Sequence, residues 1–309
     1  MVSSYSSSPI AYLKLKIMQD NPLLNDLITY SKKIGVNKAY IQGGGGNTSI
    51  KLDAQWMAIK ASGWSLTDLS TTQGICMVDV NKTRTYLNAP DPDETQFNLH
   101  IQSLTKPTTK PNQNRPSMET GFHALCKTAV IHTHSVYVNL LTCSVEGPSI
   151  LKDLFPSAIW IPYDTPGRDL ILSIKTHLAS QEPNVLFLEN HGIIVSHDNM
   201  KSAYEQHEQI NTNIQEKLNL KDHLFSPTHQ TPDIPYMKDH VLFPDQVVYT
   251  LSGNTVLATP AATETCAAYQ YINDTMKDIG LTSKYIPQKK VLTLMHMESE
   301  KYRQAQLKK

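Results

Sequence analysis

The segment Ala129–His134 constrains the fold more than any other part of the sequence. It begins as an apolar run and ends in the alternating residues Ile-His-Thr-His. Alternation of apolar and polar residues is typical of a half-buried β-strand, in which side chains two positions apart project from the same face. The segment therefore predicts a strand whose end presents two imidazoles, those of His132 and His134, toward one point.

A third histidine lies in a predicted turn further along the chain. Val185–Leu188 predicts a strand, Glu189–Gly192 a tight connection and Ile193–Val195 the returning strand. His191 belongs to that connection, where a turn leaves its side chain free to project. We therefore expect His191 at the edge of the sheet.

Three imidazoles of this kind are a typical ligand set for Zn²⁺ or a similar ion, and they leave one coordination position for water or substrate. A strand bearing His132 and His134 has an ordinary alternative, in which both rings hydrogen-bond to neighbours. For His191 the ordinary alternative is a simple hairpin turn. We predict a metal site formed by the three residues together.

A carboxylate that could move protons stands at the start of a predicted helix near Ser117. Glu119 and His123 share one stripe of this helix, beside an apolar stripe of Met118, Phe122 and Leu125. Glu119 is the candidate acid/base, and its ordinary alternative is charge complementarity at a helix end. We expect His123 to be a core or supporting histidine rather than a fourth ligand.

Small polar residues recur at three places that could contact an anion. Residues 43–49 read Gly-Gly-Gly-Gly-Asn-Thr-Ser and offer exposed backbone N–H groups. They lack the ending of a P-loop and the context of a dinucleotide-binding fingerprint. Ser62 and Gly63, after the predicted strand Trp56–Lys60, and Ser117 are the other positions. Each is individually an ordinary loop, turn or cap.

The chain has 309 residues, of which 40% are hydrophobic, enough to bury a large core. We expect a frayed N-terminus over 1–24, one α/β unit over 25–220, and a linker with a C-terminal extension over 221–309 packed on the same unit.

The sequence also predicts further helices at Asn25–Ile34, Met200–Leu218 and Thr263–Ile279. It predicts strands at Ser49–Lys51, Val241–Phe243 and Val247–Leu251, an exposed loop at Lys106–Arg115, and a linker at Phe225–Tyr236.

Charge and composition exclude several classes of protein. Lys plus Arg and Asp plus Glu each number 28, so no net field favours nucleic acid or an anionic membrane. We find neither a signal peptide nor a membrane span and expect a cytoplasmic protein. The cysteines, Cys76, Cys126, Cys143 and Cys266, are scattered, which predicts free buried thiols rather than a disulfide framework.

In their order, these segments resemble the class II aldolase/adducin family over residues 25–215. The matching pieces are Gly-Gly-Asn-Thr-Ser at 45–49, Ile-Lys-Ala-Ser-Gly at 59–63, Pro-Ser-Met-Glu-Thr-Gly-Phe-His at 116–123, Val-Ile-His-Thr-His-Ser at 130–135, Tyr-Asp-Thr-Pro-Gly-Arg-Asp-Leu at 163–170 and Glu-Asn-His-Gly-Ile-Ile-Val at 189–195. The form around Glu119 is more similar to the aldolase halves of bifunctional aldolase/dehydrogenase proteins, although we expect this chain to lack a dehydrogenase half.

The resemblance implies an α/β fold, a three-layer αβα sandwich with a central, mainly antiparallel sheet, commonly assembled as a homotetramer. It also implies the site residues: His132, His134 and His191 as zinc ligands, Glu119 as acid/base, and Gly46, Asn47, Ser62, Gly63 and Ser117 as contacts of the substrate phosphate.

The function that the resemblance implies is reversible aldol cleavage of a ketose or ketose 1-phosphate, in which the ion stabilises an enediolate and Glu119 moves a proton at carbon. An epimerase, dehydratase or decarboxylase acting on a sugar-like substrate could use the same site. A zinc hydrolase is a further alternative. A non-catalytic, adducin-like scaffold would have no reason to keep three histidines and the glutamate together.

The sequence departs from the short sugar-phosphate aldolases at two places. Met118 stands where they carry a second serine, so one phosphate contact is lost. No tyrosine occurs near Ser149–Phe155, where they supply a general acid from a neighbouring subunit, and Tyr137 and Tyr163 are nearby alternatives without a motif. The tail from Val241 carries no residue with a chemical role that we can name, so we expect a structural addition or subunit contact.

Overall fold

A seven-stranded sheet forms the centre of the molecule. Its strands are β1 (Asn47–Lys51), β2 (Trp56–Lys60), β3 (Ile75–Asp79), β4 (Ala129–Thr133), β5 (Ile159–Ile161), β6 (Val185–Leu188) and β7 (Gly192–His197), in the spatial order β3-β2-β1-β4-β7-β6-β5. Every neighbouring pair is antiparallel except β5 and β6, which are parallel. The predicted, mainly antiparallel sheet is confirmed.

The structure is a computed structural model that describes residues 21–89, 93–105, 115–178, 184–227, 234–252, 255–297 and 301. Most of the N-terminus that we expected to fray lies outside the described residues. The same holds for nearly all of the predicted loop at 106–115 and for the middle of the predicted linker at 225–236.

The described helices are α1 (Pro22–Gly35), α2 (Val80–Tyr86), α3 (Glu94–Ser103), α4 (Thr120–Leu125), α5 (Val136–Thr142), α6 (Gly147–Leu154), α7 (Arg168–Leu178), α8 (Met200–Lys217), α9 (Ile234–Asp239), α10 (Pro244–Tyr249), α11 (Pro260–Asp278) and α12 (Gln288–His296). Short 3-10 turns occur at Leu66–Asp68 and Leu220–Asp222, and a small hairpin pairs β8 (Leu251–Ser252) with β9 (Thr255–Val256).

Helices cover both faces of the sheet, as the three-layer fold requires. Ile131 of β4 belongs to a core formed with α1, α8 and α11. Val130, its neighbour in β4, belongs to a second core formed with α3, α4 and α7. Because side chains alternate along a strand, His132 shares the face of Val130 and projects toward α4, whose Phe122 ring meets it edge-on.

The chain begins its first helix earlier than the sequence predicts. α1 starts at Pro22, inside the segment that we expected to be frayed. Asn21 caps it, because its side chain accepts a hydrogen bond from the N–H of Leu23, and proline is well suited to the first helical position.

The strands predicted at Val241–Phe243 and Val247–Leu251 are wrong. Residues 241–243 are irregular, and Pro244–Tyr249 form the helix α10, after which β8 holds the last of the predicted strand residues. Pro244 has no N–H for a ladder but has the backbone angle that a first helical turn needs. The apolar residues after it therefore supply a buried helix face rather than a strand.

Two further expectations concern the cysteines and membranes. All four cysteines are free and buried, as predicted. In the part of the chain that the structure describes, no helix combines the length and the apolar character needed to cross a bilayer.

Candidate metal centre

Three histidines converge where β4 ends and the turn between β6 and β7 begins. Nitrogen atoms of His132, His134 and His191 lie within 4.8 Å of one another, and all three side chains are buried. The antiparallel register places Thr133 opposite Ile193, so the turn that carries His191 comes back beside the end of β4. The structure thus brings together the three residues that the sequence singled out.

The turn is pressed closely against β4. Asn190 adopts a left-handed backbone conformation with φ 52°, which asparagine tolerates better than most residues. Gly192 follows, and a Cβ at that position would overlap the carbonyl oxygen of Thr133. A glycine is therefore required for His191 to come this close to the end of the strand.

Two of the imidazoles are oriented through their Nδ1 atoms. Nδ1–H of His132 donates to the carbonyl oxygen of Ile193 at 2.9 Å, and Nδ1–H of His134 donates to the Asp245 carboxylate at 2.6 Å. Burial lowers the pKa of His132 to about 4, so this ring is neutral at pH 7. In a neutral imidazole that donates from Nδ1, Nε2 carries a lone pair. The Nε2 atoms are therefore available as ligands.

The facing Nε2 atoms fit a bound cation. Nε2 of His132 and Nε2 of His134 are 3.1 Å apart. Where both rings are neutral and donate from Nδ1, two lone pairs face each other at this distance, and a bound cation relieves their repulsion. Nitrogen ligands in a tetrahedral zinc site, each about 2.0 Å from the ion, stand roughly 3.3 Å apart. The donor set, and the spacing of this pair, match a divalent ion such as Zn²⁺.

Glu119 lies beside the histidines. It is the N-cap residue of α4, which begins at Thr120 rather than near Ser117, and it is 7% exposed. One carboxylate oxygen lies 3.4 Å from Nε2 of His191, and the other lies 3.6 Å from Nε2 of His132. The candidate acid/base thus stands within reach of the position that the imidazoles face.

A chain of buried polar groups fixes the Glu119 carboxylate. The amide of Asn47 donates to Oε2 of Glu119 at 2.7 Å. Burial holds the pKa of His123 well below its usual value, and this neutral ring donates from Nε2 to the Asn47 oxygen and accepts at Nδ1 from the Ser49 hydroxyl. His123 therefore lies behind Asn47 and outside the histidine cluster, in the supporting position that the sequence suggested.

The predicted anion contacts line one small polar pocket beside Glu119. Its lining includes all five predicted positions, together with Glu119 and Lys60: Gly46, Asn47, Ser62, Gly63 and Ser117. Lys60, which is 4% exposed, was not predicted as a site residue. In the sequence it resembles an ordinary residue at the end of a strand. Its position directly before Ala-Ser-Gly was the feature that could have indicated a place in the site.

A larger cavity of about 470 Å³ adjoins this pocket. Ser62, Ser117 and Met118 line both spaces, and Glu94 and Arg115 add charged groups to the larger one. The methionine that replaces the serine of short aldolases thus lies at the boundary between the two spaces. The cavity therefore adds room for a bound molecule next to the small polar pocket.

Asp245 is a second site residue that was not predicted from the sequence. It lies in the first turn of α10, in the C-terminal extension, and its side chain is 2% exposed against His134. The two residues are 111 positions apart in sequence, and no local motif surrounds Asp245. The tail expected to be a structural addition therefore reaches a candidate metal ligand.

The two tyrosines considered as general acids contact other parts of the fold. The Tyr137 hydroxyl accepts a hydrogen bond from the N–H of Phe225, and its ring meets Tyr271. Tyr163 packs against Val241 and Ile286 of the C-terminal extension. Neither lines the two spaces beside Glu119.

Comparison with known families decides what kind of fold this is. The model of the class II aldolase and adducin N-terminal domain matches residues 25–218. The chain belongs to the class II aldolase and adducin family. The resemblance recognised in the ordered motifs is confirmed, and the match covers every predicted ligand and Glu119 but ends before Asp245.

A protein of known sequence and a solved structure are similar to this chain. The chain is 26% identical over 196 residues to YuxG of Bacillus subtilis strain 168, described as an uncharacterized oxidoreductase; the match covers 59% of this chain and 28% of that protein. The chain thus spans about a quarter of that relative's length. Among solved structures, the N-terminal class II aldolase domain of a conserved protein from Thermoplasma acidophilum shares the fold, with TM-score 0.57, 18% identity, and coverage of 71% of this chain and 99% of that one.

Proposed function

We propose that this class II aldolase family member is a divalent-metal-dependent aldehyde-lyase that cleaves a ketose or ketose 1-phosphate. The observation that carries the proposal is the pair of facing Nε2 atoms on His132 and His134, 3.1 Å apart, whose Nδ1 protons are both donated elsewhere. With His191 they form a three-nitrogen ligand set, for which Zn²⁺ is the typical ion.

When bound, a divalent ion supplies Lewis-acid stabilisation of the negative charge that develops on substrate oxygens. The chain's own residues supply the rest of the chemistry. The three imidazoles hold the ion at the end of β4, and Glu119 carries the proton that leaves or joins the reacting carbon.

Glu119 suits this role because its position is fixed while its oxygens remain close to the ligands. The amide of Asn47 holds Oε2, and Oε1 lies near His191. A carboxylate held in this way needs little reorganisation when it accepts a proton. Its placement at the rim of the small polar pocket puts it against the substrate end that the pocket would hold.

The small polar pocket would hold the anionic end of the substrate. Backbone N–H groups at a glycine loop and serine hydroxyls can donate to phosphate oxygens, and the buried ammonium of Lys60 adds a positive charge. Met118 places an apolar group beside this pocket and removes one hydroxyl donor. The substrate is therefore proposed as a sugar with or without a terminal phosphate, and paired substrates distinguish the two.

The experiment begins with purified full-length protein, first analysed for bound metal and then assayed with free and phosphorylated ketoses for aldehyde release. Epimer formation, dehydration and decarboxylation are followed on the same samples. Aldehyde release supports the lyase, whereas turnover without it would assign the site to one of the other reactions. Failure to bind metal stoichiometrically would overturn the proposal.

Replacing the glutamate separates proton transfer from metal binding. Glu119→Gln keeps the volume and the contact with Asn47 but removes the base, so exchange of the carbon-bound proton of a dihydroxyacetone-type product should fall by about 10²-fold or more while metal content stays nearly intact. Glu205→Gln, at an exposed position on α8, is the matched control and should exchange normally. Unchanged exchange in Glu119→Gln would refute the role of Glu119.

A further inference from the structure

We infer that Asp245 is a positioning residue of the metal centre, and that the C-terminal extension is therefore part of the site. This inference rests on the proposed function, since it concerns how His134 is presented to the ion. Asp245 is not among the residues that line the polar pocket; it acts through the imidazole of His134.

The contact has the geometry of a carboxylate that orients a metal ligand. Oδ2 of Asp245 lies 2.6 Å from Nδ1 of His134, and both side chains are almost completely buried. A buried carboxylate that accepts the Nδ1 proton fixes the tautomer with its lone pair on Nε2, and it increases the basicity of that nitrogen. The ring cannot rotate without leaving the carboxylate without its hydrogen bond in a buried place.

Gly45 shows how closely this pair is packed. A Cβ at Gly45 would lie 2.5 Å from Oδ2 of Asp245 and 2.7 Å from Nδ1 of His134. The glycine loop therefore packs directly against the hydrogen bond, with no room for a side chain at Gly45. The same loop continues into Gly46 and Asn47 at the polar pocket, so the contact links the metal centre to the substrate side.

The extension that bears Asp245 is fixed to the turn of His191. The Asn190 amide donates to the carbonyl oxygens of Leu242, at 2.8 Å, and Lys284, at 2.6 Å. Leu242 lies three residues before Asp245, and its N–H donates to the side chain of Gln246. The segment carrying the carboxylate is thus held at the neighbouring ligand, which fixes its distance from His134.

A second contact fixes the extension to the glycine loop. Oε2 of Glu264, on α11, accepts the N–H of Gly43 at 2.8 Å, and its other oxygen pairs with Lys38. The extension therefore contacts the glycine loop, the end of β4 and the turn of His191. Its packing against all three explains how a residue beyond the family match can reach the metal centre.

The test is the affinity of the full-length, metal-free chain for Zn²⁺, measured in competition with a chelating indicator. Asp245→Ala should weaken Zn²⁺ binding by about 10- to 100-fold, the range found when partners of ligating histidines are removed. Asp245→Asn keeps the volume and an acceptor but loses the charge. Its affinity for Zn²⁺ should therefore lie between those of the wild type and Asp245→Ala. Gly45→Ala should also weaken binding, because its methyl group displaces the carboxylate from the imidazole.

Asp164→Asn is the matched control. Asp164 pairs at 3.0 Å with Lys290 of the extension, both partly exposed, and the substitution removes one charge from an extension contact away from the histidines. It should bind Zn²⁺ as the wild type does. Co²⁺ in place of Zn²⁺ gives a second readout, because its visible spectrum reports ligand geometry and should change in Asp245→Ala but not in Asp164→Asn.

The outcomes separate this inference from the proposed function. If the wild type fails to bind Zn²⁺, the metal-dependent function fails and the inference fails with it. If the wild type binds and Asp245→Ala binds equally well, with an unchanged Co²⁺ spectrum, the role of Asp245 alone is overturned. Equal weakening in Asp164→Asn and Asp245→Ala would also overturn it, since the effect would then come from docking of the extension.

Discussion

His132 and His134 stand two residues apart, yet different regions of the molecule hold them. The Nδ1 proton of His132 is donated to a backbone carbonyl of β7, within the central sheet. The Nδ1 proton of His134 is donated to the Asp245 side chain, in the C-terminal extension. Backbone support cannot be removed by a single substitution, whereas side-chain support can. The two ligands are therefore equivalent toward the ion but unequal in what each depends on.

The largest expected effect is the loss of Zn²⁺ affinity when either ligand is removed, and it should be the same for His132 and His134. His132→Ala and His134→Ala each remove one nitrogen, and a full ligand set supplies roughly 10–16 kcal/mol at a zinc site, so each loss should weaken Zn²⁺ binding on the order of a thousandfold. Competition with a chelating indicator measures both affinities. Near-wild-type affinity in either variant would show that the ion does not bind where the three histidines meet.

A smaller effect should show that the small polar pocket binds substrate independently of the groups that orient His132 and His134. Lys60 lies at the end of β2 in the polar pocket, and a charged donor to an anion contributes about 1.5–3 kcal/mol. Lys60→Met should therefore raise KM for a phosphorylated substrate about 10- to 100-fold and leave Zn²⁺ affinity unchanged. An equal rise in KM for the free sugar would contradict a role in binding phosphate.

The smallest effect, counted per pH unit, concerns the stability of the metal-free protein. Burial lowers the pKa of His123 well below the ordinary value of 6.5, and that of His132 to about 4. The unfolded chain takes up these protons first as pH falls, so the free energy of unfolding of metal-free protein should decrease between about pH 6.5 and pH 4. His132 contributes up to about 1.4 kcal/mol per pH unit in that range, and His123 adds a slope of the same sign.

Denaturant titrations of the metal-free wild type and of His123→Gln, at several values between pH 7 and pH 5, check this slope. The variant lacks one of the two imidazoles whose pKa is lowered by burial, so its stability should depend less steeply on pH. Identical slopes for the two proteins would mean that His123 does not remain neutral in the folded state.

The part of the site that lies on the central sheet was predictable because the sequence patterns that specify it are local. The alternation in Ala129–His134 specifies a strand and the shared direction of its histidines without reference to distant residues. The turn at Glu189–Gly192 was readable for the same reason, because its flanking strands are apolar and short. Even there the sequence set the strand end one residue late, since β4 stops at Thr133.

The extension was less predictable because its role depends on contacts between distant residues. Asp245 follows a proline at a helix start, a common arrangement with no chemical meaning of its own. The same proline begins α10 where a strand was predicted. This helix orients the Asp245 carboxylate toward His134. Lys60 was missed for a related reason, because its burial follows from the packing of loops around the end of β2.

The measurement that tests the central claim most directly is a calorimetric titration of metal-free, full-length protein with Zn²⁺, run beside the His191→Ala variant. The account predicts saturable binding of one ion per chain in the wild type and a loss of affinity on the order of a thousandfold in the variant. Absence of stoichiometric binding in the wild type, or equally tight binding in His191→Ala, would contradict the three-histidine metal centre.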